Sequence, residues 1–408
     1  MNAYAANYAS IPSMQSKPKL LGFAFIWITT LLISCIISGS WNCLYEAGQL
    51  PFKPRDATLG LSSLSLFLFL FNRPALNPAA LLLLLLPAIR VFDAGFLKRH
   101  TAGSEDNHST IVFTFISMFV IMIVIFAVMS TEHWKSVLLK VAILTILIGT
   151  GSILYESSGA AAYSSIPGRY SGFLRQPNDA IIILCLMLSI VLTLQPNFWW
   201  NALMIGITTA GVGLTLSRSG FLVLGLLVMT YLAMNLFKNA GKIALVVSLA
   251  IPVAGAGITY LEHSASSRNF GTDKNAKERI EAIFGGSTDK MESGERMKDL
   301  TDGWEAVTDK PLFGWGTAAS STRWMPHNLW VAMWLDLGVG GALLLGIILF
   351  GLTFLCILAK GQGVYSLLTL WLLTLFSQNL ADMPGYWLPA FMLVNLLVNS
   401  RIQFVLKA

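Results

Sequence analysis

Long uncharged apolar stretches recur from one end of this 408-residue chain to the other. A segment needs about 20 such residues to cross ~30 Å of hydrocarbon as a helix, at ~1.5 Å per residue. With 55% hydrophobic and only 12% charged residues, the composition is not that of a water-soluble globule. A backbone inside lipid must satisfy its own hydrogen bonds, which leaves helices or closed barrels. Barrel strands alternate apolar and polar residues over short segments, and that alternation is absent. The sequence therefore predicts an all-α polytopic membrane protein.

About twelve spans are expected, near 20–38, 57–72, 76–92, 111–130, 134–150, 177–195, 199–215, 219–237, 242–260, 328–358, 363–380 and 386–405. The first is too long for a signal-peptide core and is read as a retained span. The chain then divides into 1–260 with nine spans, a large loop at 261–327, and 328–408 with three spans. An even number puts both termini on one side. Positive residues nearly balance between the two faces, but the lysines, among them Lys17, Lys19, Lys135, Lys238, Lys242 and Lys360, favour cytoplasmic termini. The opposite face is rich in arginine, including Arg90, Arg169, Arg175 and Arg218. The planar guanidinium fork suits phosphate, so an anionic ligand is expected on that outer face.

The loop at 261–327 is the one sizeable polar region. A short helix is expected at 277–284, ended by Gly285-Gly286. A second is expected from an N-cap at Ser293 to about Thr308, with Pro311 preventing its continuation. On it Arg296, Leu300, Trp304 and Val307 follow three- and four-residue spacings and share one face. An arginine on that apolar face is expected to point into a site.

His327 follows Pro326 where the chain re-enters an apolar stretch. A helix N-terminus and partial desolvation both disfavour the imidazolium, so a neutral imidazole able to accept a proton is expected. The plain alternative is an interfacial histidine hydrogen-bonded to its own loop. Arg218 interrupts two apolar spans within Leu216-Ser217-Arg218-Ser219-Gly220, where a guanidinium either faces a functional cavity or snorkels to headgroups. Arg169 and Arg175 lie in a glycine-containing segment that enters the membrane at Pro177-Asn178-Asp179, and each is as well suited to a headgroup as to a substrate. Asp336 is a lone carboxylate in an apolar run, placed to orient a histidine or to balance an arginine. Cys35, Cys43, Cys185 and Cys356 have no metal or disulfide spacing and read as small hydrophobes. Neither an Asp-x-Asp pair nor a histidine cluster is present, so no metal and no cofactor are expected, and arginines would neutralise a diphosphate.

These pieces resemble the O-antigen ligase and polymerase superfamily. The resemblance rests on Arg169-Tyr170-Ser171-Gly172-Phe173, Gln176-Pro177-Asn178, Leu216-Ser217-Arg218-Ser219-Gly220, Arg296, Trp304, Pro311-Leu312-Phe313-Gly314-Trp315-Gly316, Pro326-His327-Asn328 and Asp336-Leu337-Gly338. Their order covers roughly Gly168 to Gly341; where members often show Ala-His-Asn, this chain has Pro326-His327-Asn328. The resemblance implies transfer of a glycan from an undecaprenyl-diphosphate carrier to an acceptor hydroxyl at the periplasmic face of a Gram-negative inner membrane. It implies His327 as general base, Arg218 and Arg296 as catalytic cations, and Arg169, Arg175, Asn178, Trp304, Asn328 and Asp336 as substrate contacts. One base without a carboxylate nucleophile is consistent with inversion. The expected partners are undecaprenyl-diphosphate-linked O-antigen as donor, lipid A–core as acceptor, and membrane lipids, with no nucleic acid. A polymerase or a protein O-oligosaccharyltransferase would share the chemistry. A lipid-linked glycan transporter would instead place ionisable groups deep in mid-span, with repeated halves.

Overall fold

The computed structural model describes residues 20–51, 53–69, 75–97, 108–166, 169–267, 293–359, 361–397 and 402–403. The helix expected at 277–284 lies outside the described residues.

The helices are α1 (Leu20–Ile37), α2 (Ser40–Glu46), α3 (Pro54–Phe69), α4 (Pro78–Phe92), α5 (His108–Met129), α6 (Trp134–Ser157), α7 (Pro177–Leu194), α8 (Phe198–Thr215) and α9 (Arg218–Ser267). They continue with α10 (Ser293–Asp309), α11 (Ala319–Thr322), α12 (Leu329–Leu337), α13 (Val339–Leu358), α14 (Val364–Phe376) and α15 (Pro384–Leu397). A two-residue antiparallel pairing joins Ala75–Leu76 to Ile402–Gln403. Among the described residues six helices are long and apolar enough to cross a membrane, or seven if the pair bent by 69° around Gly39 forms one span. The chain is a multi-pass helical membrane protein. α9 breaks its helical geometry at Asn239, which divides it into two helical segments.

The core is organised around α7. Its side chains from Ala180 to Leu192 are all buried, with α6, α8, α9, α14 and α15 packed about it. A helix apolar on every side can meet protein on all its faces, as α7 does at the centre of this bundle. α7 begins with Pro177 in its first turn, where the missing N–H costs nothing. The polar residues Asn178 and Asp179 are thereby held at the mouth of the bundle. Gly211 lets α8 close on α6, since a side chain there would strike Thr150.

The expected span 328–358 is not one helix. It divides at Gly338, whose φ of +71° is left-handed, and a Cβ there would overlap the Leu312 carbonyl. The turn after α10 fills the break. Trp315 N–H donates to the Leu335 carbonyl at 2.6 Å, Gly316 N–H to that of Asp336 at 3.1 Å, and Val339 N–H to that of Pro311 at 2.9 Å. The carbonyls freed by breaking a helix must find donors, and this turn supplies them.

Face assignment on α10 also differs from expectation. The side packed on α12 consists of Leu300, Gly303, Ala306 and Val307, which meet Val331, Leu335 and Pro326. Trp304 lies off that face, 51% exposed, edge-on to Trp334 with ring centres 5.7 Å apart. Gly303 permits the approach to Pro326, which the period alone did not reveal.

Candidate active site

Three interhelix segments meet at the end of the bundle where α7 starts. The segment 169–176 leads into α7, the two-residue link Leu216-Ser217 joins α8 to α9, and the segment 323–328 leads into α12. Helix α10 and the turn from Ser377 to Met383 close the group.

His327 sits between two cavities. One, of about 250 Å³, is lined by Asn178, Asp179, Ser219, Gly220, His327 and Gln378 among others. The second, of about 180 Å³, is lined by Arg296, Met297, Leu300, Pro326, His327 and Asn328, with Leu375 and Phe376. The backbone at His327 is left-handed, φ +49°, a conformation that costs a non-glycine residue of order 1–3 kcal/mol and that tends to be kept at functional sites. Its N–H donates to Gln378 Oε1 at 2.6 Å, and Nε2 stands 3.6 Å from Asp299 Oδ2. Burial, and next the Arg296 guanidinium, hold the imidazole below its ordinary value of 6.5, while Asp299 pulls the other way. The ring is therefore neutral at neutral pH and can accept a proton.

Asn178 Oδ1 accepts from Arg169 at 3.2 Å and from Ser217 Oγ at 3.1 Å. Ser217 immediately precedes Arg218. Arg218 opens α9 beside Ser219 and Gly220 of the first cavity, and its buried Nε makes no hydrogen bond among the described residues. A buried cationic N–H without a partner marks a place where an acceptor would gain most. Leu216, at φ +51°, makes the left-handed turn that presents this arginine.

Other expected site residues have different surroundings. Arg169 is 4% exposed and gives its Nε to the Thr215 carbonyl at 2.9 Å, tying the incoming loop to the end of α8. Arg175 is exposed and paired with Glu46 at 2.6 Å. Both pairings arise because the 169–176 segment folds back on α2 and α8, a packing that spacing does not encode. Asn328 borders the second cavity, but its Oδ1 caps α12, accepting from Trp330 and Val331 N–H. Asp336 is fully buried: its Oδ2 takes Arg90 at 2.9 Å and its Oδ1 takes Ser320 N–H at 2.8 Å. It balances an arginine and does not orient His327; the carboxylate beside the histidine is Asp299.

Arg90, Asp299 and Gln378 went unnoticed as site residues in the sequence. Arg90 is 1% exposed, contacts Asp336 and also Asp382 at 3.0 Å, and packs 4.7 Å from the centre of the Phe115 ring. A lone arginine and a lone aspartate in separate apolar stretches were the available signal, because charges there require partners. Asp299 follows Arg296 by three residues and so shares its side of α10. Gln378 left no signal, since its role depends on how α14 ends.

Residues 202–346 match the family model described as O-antigen ligase. No curated protein resembles the chain closely enough to count as a relative. The matched stretch takes in Arg218, Arg296, His327 and Asp336, and leaves Arg169, Arg175 and Asn178 outside it. The stretch that matches the O-antigen ligase family model is the one that carries the histidine between its two cavities.

Proposed function

We propose that the protein is an O-antigen ligase that moves O-antigen from undecaprenyl diphosphate to a sugar hydroxyl of lipid A–core on the periplasmic side of the inner membrane. The match of residues 202–346 to the O-antigen ligase family model supports O-antigen ligase or polymerase chemistry in general. The observation that carries the finer reading is the place of His327, a neutral base reached from two separate cavities. A lipid-linked donor and an acceptor that must meet at one atom need two approaches. Attack by the acceptor hydroxyl, with its proton passing to His327, forms the new glycosidic bond as the bond to the diphosphate breaks. The lipid diphosphate leaves with the electron pair, and the anomeric configuration inverts. Arg218 and Arg296 would stabilise the charge growing on the leaving oxygen, a kind of stabilisation that supplies much of many enzymes' rate. Asn178, held by Arg169 and Ser217, would fix the first cavity's shape.

Purified protein supplied with undecaprenyl-diphosphate glycan and lipid A–core, with chelator and without nucleotide, tests this directly. Glycan appearing on lipid A–core is the expected result. Glycan extended on the carrier would make the protein a polymerase, and glycan on protein serine an oligosaccharyltransferase.

A further inference from the structure

A further cavity lies at the other end of the bundle from His327. Of about 460 Å³, it is lined by Tyr231, Asn235 and Lys242 of α9, Asn201 and Trp199 of α8, and Tyr365 of α14, among others. Its position follows from the helices that connect the two sites. α7 starts at the His327 cavity with Asn178 and ends here with Leu192. α9 starts there with Ser219 and reaches here at Tyr231 and Asn235, while α14 runs the other way, from Tyr365 here to Phe376 there. The 18 residues of α7 measure about 27 Å at ~1.5 Å per residue, close to the thickness of a hydrocarbon core. The two cavities therefore open at opposite faces of the membrane.

The lining is polar and its one charge is positive. No carboxylate lines the cavity, and no carboxylate pairs with Lys242 among the described residues. The Lys242 ammonium stands 5.8 Å from the centre of the Phe198 ring, and Tyr231 lies between that ring and Tyr365. Asn235 Nδ2 donates to the Tyr231 carbonyl at 2.9 Å and reaches the Tyr365 hydroxyl at 3.4 Å. Asn201 is 3% exposed; its Nδ2 donates to the Gln195 carbonyl at 2.9 Å, and its buried Oδ1 has no hydrogen-bond partner among the described residues. A buried polar atom without a partner in a roomy polar cavity points to something that the protein holds there. The geometry of α9 supports this as well, because its helix departs from regular dihedrals at Asn239, which faces the same cavity.

We infer that this cavity is a second ligand site, which takes a phosphate-bearing group with at least one hydroxyl. Lys242 would take the phosphate charge, the tyrosine hydroxyls and asparagine amides would donate to its oxygens, and Asn201 Oδ1 would accept from the ligand's hydroxyl. Trp199 of the lining and the adjacent Trp200 are 49% and 50% exposed, as aromatic side chains are at a membrane interface. The group therefore comes either from the head of an anionic glycerophospholipid or from a soluble phosphate ester. The inference uses none of the residues around His327 and does not depend on the reaction proposed for them.

The test uses the full-length protein in phosphatidylcholine nanodiscs. One arm introduces phosphatidylglycerol at low mole fraction and counts retained lipid by native mass spectrometry. The other adds glycerol 3-phosphate and follows the melting temperature. Retained phosphatidylglycerol, at least tenfold weaker in Lys242→Gln, restored in Lys242→Arg and weakened in Tyr365→Phe, supports a lipid head. Saturable stabilisation by glycerol 3-phosphate with the same dependence on Lys242 supports a soluble ester. Lys242 is exposed at the rim, so unliganded melting of Lys242→Gln should match the parent and separates lost binding from lost folding. Binding of neither, or binding indifferent to both Lys242→Gln and Tyr365→Phe, overturns the inference.

Discussion

Replacing Arg90 by methionine should destabilise the protein and disarm the site together. Arg90 is buried and contacts two carboxylates, at 2.9 Å to Asp336 and 3.0 Å to Asp382. Methionine keeps much of the apolar stem beside Phe115 and Met333 but leaves both carboxylates without their cation. Removing one member of a buried ion pair costs about 3–5 kcal/mol, because the remaining charge stays desolvated. Asp382 is partly open to solvent, its side chain 29% exposed, which places the expected cost nearer the lower end. The two carboxylates belong to the elements that frame His327. Asp336 lies in α12, which starts two residues after the histidine, and Asp382 ends the turn that begins beside Gln378, the acceptor for His327 N–H. Transfer should therefore fall even in material that remains folded. Melting of the detergent-purified variant, with size-exclusion recovery and transfer to lipid A–core, measures both effects. The triple variant Arg90→Met, Asp336→Asn, Asp382→Asn removes the stranded charges and should recover most of the melting temperature. A single Arg90→Met variant that melts and transfers like the parent would refute the reasoning.

The remaining expectations concern the histidine and its arginines. His327→Ala should reduce transfer by about 10²–10⁴-fold, the usual worth of a general base, while membrane accumulation stays normal; near-normal transfer would remove the histidine from the chemistry. The base works when neutral, and burial and Arg296 lower its pKa, so the acid limb of the transfer–pH profile should lie below 6.5. Arg296→Gln removes one lowering influence, so that limb should move to higher pH; a shift the other way, or none, counts against Arg296 acting on the imidazole. Arg218→Lys keeps the charge and loses the fork, so transfer should drop by at least about tenfold, or about 1.4 kcal/mol; full activity would make Arg218 a simple charge.

Much of the scaffold was legible because membrane burial is a local requirement. The apolar stretches gave α5, α6 and α7 nearly in place, and the Ser293 start and Pro311 stop framed α10. The break at Gly338 was not legible, since Val339 to Leu358 continues just as apolar and only docking of the Pro311–Gly316 turn reveals the discontinuity. His327 and Arg218 stood out as polar groups at membrane entries, and Arg296 as an arginine on the apolar side of the loop helix. The partners of Arg169, Arg175 and Asp336 did not, because Thr215, Glu46 and Arg90 reach them through tertiary packing alone. Left-handed backbone at Arg175, Leu216 and His327 was equally hidden, as glycine is absent at all three.

Arg296 and Asp299 both reach His327 from α10, and α10 packs chiefly on α12, through Leu300, Ala306 and Val307 against Val331 and Leu335. The pH at which the histidine titrates is thus set in part by a neighbour held chiefly along the seam with α12. Lifting that helix would remove a cation, an anion and part of the shielding from water in one movement, returning the imidazole toward its free-solution behaviour. Any movement of α10 would therefore shift the pH at which the imidazole takes up its proton.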